Sequence, residues 1–205
     1  MKLHQFERDQ LVAMRTEEAL FHLVGQPTSP EIRPCMSCDL PCECSGSITC
    51  GCGCSLDCEH APAMLSSEPE EFSIEPGIVP LVYALASLGT CPPFWSCEGH
   101  LDQSGTVSRI PRVWFYVRDL SYPRLIQDYL MALAGKKKLN YSWYVCVTHS
   151  DGNNIDTAFS LEPNVTMNED LDLNRLRSDV RIISDNFVYN IKRLADKLIK
   201  NTAKI

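Results

Sequence analysis

Apolar positions recur along the chain with two periods, and each period predicts a different kind of element. Leu3, Phe6, Leu11 and Met14 fall at near-helical spacing. Thr16 then reads as the N-cap of a further stretch of helix, Glu17 to Val24, closed by Gly25. Pro27, Pro30 and Pro34 turn the chain into a non-helical connection. Further on, Pro76 opens a helix that runs to Leu88 and ends at Gly89. Phe94 to Leu101 reads as a short strand that breaks into a turn at Glu98-Gly99.

Strict alternation from Arg112 to Arg118 and from Ser142 to Thr148 predicts two strands. Between them Leu125, Ile126, Tyr129, Leu130 and Leu133 form the apolar face of a helix that starts at Pro123 and ends at Gly135. Asp151-Gly152-Asn153-Asn154 is a turn, which makes Thr157 to Leu161 a hairpin partner. From Asn168 to Lys200, Leu173, Leu176, Val180, Ile183, Phe187, Ile191, Leu194 and Leu198 recur every three or four residues. That predicts one long amphipathic helix, packed over the sheet or paired with a second copy in a homodimer.

The order of elements implies an α+β fold: a small antiparallel or mixed sheet, ferredoxin-like in one form it could take, with helices on one face. Three stretches follow from it: a helical segment at 1–26, a Cys-rich module with an acidic linker at 27–75, and an α+β unit at 76–205.

Composition changes this picture at one place. The chain has 205 residues and 11 cysteines, eight of which lie between Cys35 and Cys58. The segment CMSCDLPCECSGSITCGCGCSLDCEH holds almost no apolar side chains, so cross-links or metal must fold it. Its donors are Cys35, Cys38, Cys42, Cys44, Cys50, Cys52, Cys54, Cys58 and His60. Thiolate and imidazole at this density suit zinc, with an iron–sulfur cluster as the alternative. The repeated C-x-C steps suggest thiolates shared between ions. Residues 27–75 carry nine acidic side chains and one basic one, Arg33, so several bare thiolates there would repel unless a cation joined them.

Neither a secretory leader nor a membrane-length apolar run is present in the sequence as read, which points to a cytoplasmic protein and to metal rather than disulfides. The formal charge of −7 argues against nucleic acid as the partner.

A second constellation, CPPFWSCEGHLD, places Cys97, Glu98 and His100 in one Gly-containing turn. His149 ends a strand. Cys97, His100 and His149 could complete an open three-ligand metal site with Glu98 as general base. Alternatively Cys97 is a nucleophile activated by a histidine. The fragment from Ser96 to His100 resembles a short turn of wybutosine-synthesis methyltransferase-like proteins. Glu98 and His100 depart from that pattern, and the resemblance implies nothing beyond those residues. Three readings follow: a metal-binding protein in a structural or binding role, a metal- or thiol-dependent enzyme at Cys97/Glu98/His100, and an iron–sulfur redox or sensing protein.

Overall fold

A computed structural model describes residues 10–26, 74–117, 119–149, 157–166 and 170–202. In chain order the elements are α1 (Gln10–Gly25), α2 (Val79–Ala86), β1 (Pro93–Leu101), β2 (Val107–Val117), α3 (Ser121–Gly135), β3 (Trp143–His149), β4 (Thr157–Pro163), α4 (Leu173–Ser184) and α5 (Phe187–Thr202). The donors Cys35 to His60 and the Asp151–Asn154 turn lie outside the described residues.

Two hairpins make the sheet. Its order among the described residues is β1-β2-β4-β3, and every neighbouring pair is antiparallel. The chain order among the described residues is therefore ααββαββαα, whereas the ferredoxin-like order is βαββαβ. The two share a split crossover, because β2, α3 and β3 form a β-α-β unit with β4 inserted between its strands.

The alternation that predicted β2 also sorts its faces. Val113, Phe115 and Val117 are buried, and Phe159 and Leu161 of β4 stand opposite the first two in register. All five described helices contribute to the same core, through residues such as Leu23, Leu85, Ile126, Ile183 and Phe187. Burying each such side chain is worth about 1.5–3 kcal/mol. The helices thus cover one face, as the α+β reading expects. Arg112, Trp114 and Tyr116 point to the other face.

Four elements differ from their sequence reading, each for a local reason. β1 does not break at Glu98-Gly99 but runs unbroken from Pro93 to Leu101, because Glu98 and His100 stay paired with Pro111 and Arg109. Thr16 lies inside a single helix α1, because its hydroxyl donates to the Val12 carbonyl at 2.8 Å instead of capping a new helix. β2 begins at Val107, well before the alternating run. Pro111 is tolerated there because its partner Glu98 directs its own N–H away from β2, to Glu75.

The long C-terminal helix is broken. Asn186 takes the left-handed conformation at φ 53°, and the Tyr129 hydroxyl donates to the carbonyls of Ile183 and Asp185 at 3.0 and 3.2 Å. The break lets α4 cover the hairpin end of the sheet while α5 packs on α1 and α3. Along the predicted seam, Leu173, Leu176, Val180, Ile183, Phe187 and Ile191 are buried within the chain itself.

Candidate metal centre

β1 is an edge strand, so its outward N–H and C=O groups need partners from outside the ladder. At Glu98 they find them. The Glu98 N–H donates to Glu75 Oε2 at 2.7 Å, and its carbonyl accepts from Arg177 Nε at 3.4 Å. The Glu98 side chain folds back under the strand. One oxygen accepts from the Gly77 N–H at 2.6 Å, and the other meets Arg177 Nη2 at 2.6 Å. A Cβ at Gly77 would stand 2.6 Å from that Glu98 oxygen, so a larger residue here would push the Glu98 carboxylate out of its present position.

Gly99 is a left-handed residue within β1 and not part of the turn expected at Glu98-Gly99: the strand runs through it, with Glu98 and His100 still paired to Pro111 and Arg109. Its φ is +84°, and a Cβ would lie 2.7 Å from Leu173 Cδ1 and 3.0 Å from the Arg109 carbonyl. This left-handed residue sits between Cys97 and His100 and directs both side chains toward Glu75. Glu75 Oε1 is 2.9 Å from His100 Nε2. One donor atom from each of Glu75, Cys97 and His100 lies within 4.8 Å of the others. Cys97 is buried, while Glu75 and His100 are each about one-third exposed or more, at 34% and 40% of the side chain.

Burial is the main cause that pushes the Cys97 thiol above its ordinary pKa. The Gly99 N–H lowers it, the Glu75 carboxylate raises it, and Arg112 and Arg109 lower it. An anionic neighbour disfavours thiolate, whereas a cation among these three groups would favour it and displace the proton. Sulfur, nitrogen and oxygen donors in one small volume are a set that zinc accepts, with three protein ligands leaving a fourth position open. A four-thiolate iron–sulfur cluster does not match a site with one sulfur.

The other predicted site residues, Glu98 and His149, and three further side chains, Asp102, Cys91 and Cys146, are placed as follows. Glu98 has both carboxylate oxygens engaged by Gly77 and Arg177, which gives it a holding role beside the cluster. His149 ends β3, at the opposite edge from β1, three strand spacings or about 14 Å away. Asp102 shapes the β1–β2 turn by accepting from the N–H groups of Ser104 and Thr106. Cys91 is fully buried in the core, and its thiol is pushed up to about 12 by burial. Cys146 stands opposite Ser160 on the face away from the helices.

Sequence reasoning missed Glu75, which falls in a stretch read as linker. Its only local signal is the neighbouring Pro76-Gly77, which fixes the chain before a buried helix. No family model matches the chain, and no curated protein or solved structure is significantly similar to it. No described helix is long and apolar enough to cross a membrane.

Proposed function

We propose that this chain is a zinc-binding protein with two kinds of site. Glu75, Cys97 and His100 hold one divalent ion at the sheet edge. Cys35, Cys38, Cys42, Cys44, Cys50, Cys52, Cys54, Cys58 and His60 hold further metal in a structural or binding role. The observation that carries the reading is the convergence of three different donor atoms within 4.8 Å on a strand edge fixed by Gly99. The iron–sulfur alternative rests wholly on the Cys35–Cys58 thiols, since the sheet-edge cluster offers a single sulfur. The enzyme alternative uses the same centre, with substrate or water in the fourth position and Cys97 as thiolate ligand.

Elemental analysis of anaerobically purified protein tests the proposal. The full chain is expected to carry zinc, Cys97→Ala to lose one equivalent, and serine at the eight clustered cysteines to lose the rest. Reduced, folded protein without metal overturns it. Iron with acid-labile sulfide would replace zinc by the cluster reading for the Cys35–Cys58 segment.

A further inference from the structure

The ladder places an arginine opposite each sheet-borne donor. Cys97 pairs with Arg112 and His100 with Arg109. Directly opposed residues in an antiparallel pair hold their Cβ atoms about 4.5–5.5 Å apart. A divalent ion with the Cys97 thiolate and the Glu75 carboxylate is electrically neutral, so the two guanidinium charges decide the local balance. Glu162 offsets part of this, with its carboxylate 3.9 Å from Arg112 Nη1. That carboxylate is already hydrogen-bonded by Ser160 and by Tyr144, the latter at 3.2 Å. Glu98 is matched by Arg177. The metal-loaded site therefore keeps about one unit of positive charge.

Donors are also left over. Arg112 Nε and Trp114 Nε1 are buried without a hydrogen-bond partner among the described residues. Buried N–H groups of this kind call for an acceptor. Beside them Arg112 lies 6.0 Å over the Trp95 ring, and Trp95 and Trp114 have centroids 4.5 Å apart. Trp95 remains 40% exposed, which offers a flat surface next to the guanidinium.

Resting on the metal reading above, the geometry points to a phosphate as the ligand of this site: one oxygen takes the fourth metal position and Arg112 holds the anion. Phosphate offers several strong acceptor oxygens and matches the guanidinium fork. It can come as free phosphate or as the phosphate of a nucleotide, whose base would lie on Trp95.

Cobalt-loaded full-length protein tests this. Thiolate charge-transfer and d–d bands lost in Cys97→Ala belong to the sheet-edge centre, and their absence overturns both the metal reading and this inference. With those bands present, inorganic phosphate is expected to shift the d–d bands and to show a cobalt-broadened phosphorus resonance. Arg112→Gln should keep the bands and bind phosphate roughly ten- to hundred-fold more weakly. Intact bands that ignore phosphate, or that respond equally to acetate, overturn the phosphate assignment and leave the metal centre standing. Adenosine monophosphate supplies the second arm. Tighter binding than phosphate, lost in Trp95→Ala, supports a nucleotide source, and equal binding supports free phosphate.

Discussion

Asp179 and Glu75 both accept hydrogen bonds from backbone N–H groups at the margin of the sheet, but they are surrounded by different donors. Asp179 is fully buried and receives the Asn140 N–H and amide at 2.8 Å each, the Tyr141 N–H at 2.9 Å and the Trp143 indole at 3.1 Å. None of these donors can give up its proton, so the carboxylate is locked into tying α4 to the start of β3. Glu75 is partly exposed, and its second oxygen faces an imidazole and lies near a thiol. Both of those can exchange a proton for a metal ion. A carboxylate held by fixed donors is architecture, and one held by exchangeable donors is a candidate site.

The largest test of this contrast is Asp179→Ala. It leaves the buried Trp143 indole and three part-buried N–H groups without their acceptor and should cost about 3–4 kcal/mol in denaturant unfolding, with the sheet-edge metal retained wherever the protein is folded. A loss below about 1 kcal/mol would break the comparison at its structural end. Gly99→Ala comes next. Its left-handed φ and the crowding by Leu173 should cost about 2–3 kcal/mol and separate Cys97 from His100, so that one metal equivalent is lost as well.

Cys97→Ala should lower metal-free stability by only about 1 kcal/mol yet remove the sheet-edge metal. Glu75→Gln is milder still in the metal-free protein. The amide can still accept from the Glu98 N–H, so stability should change by about 1 kcal/mol or less, measured by thermal or denaturant melts. Zinc affinity, by competition with a chelator, should fall roughly tenfold or more. Unchanged affinity would remove Glu75 from the ligand set.

The smallest effect at neutral pH concerns the core thiol. Burial raises Cys91 from 9.0 to about 12 and Tyr129 from 10.0 to about 12. Both are neutral in the folded chain and ionise more easily once unfolded. Their contribution to stability is full below about pH 9 and is lost as the pH rises toward 12. Denaturation midpoints between pH 8 and 11.5 check this, and Cys91→Val should flatten the early part of the decline. At the sheet edge the dependence runs through the metal instead: zinc affinity should weaken as the pH falls, because Cys97 must lose its proton to bind.

Periodicity made most of the fold legible. The i, i+3, i+4 face of α3 and the alternation of β2 and β3 are properties of neighbouring residues, and Gly135 marked a true helix end. The break between α4 and α5 was hidden because the seam residues keep their spacing across it. What ends α4 is a hydroxyl from Tyr129, far away in sequence.

The site divided in the same way. Cys97 and His100 stand three residues apart on one strand and were found together. His149 looked equally suitable at a strand end, but which strands become edges is decided by sheet order, and that is not written in local pattern. Glu98 looked like a base because nothing in its surroundings announced Arg177 or Gly77. Glu75 was invisible because its role begins only when the chain returns beside β1.

The Trp95–Trp114 contact has an optical consequence. Two indoles with centroids 4.5 Å apart at 39° share their excited states. The pair should therefore give a paired positive and negative band in circular dichroism. The third tryptophan, Trp143, is buried with its N–H on a carboxylate, and it reports from the core with a separate emission. The chain thus carries its own label beside the proposed metal centre, and metal binding there can be tested with light on unmodified protein.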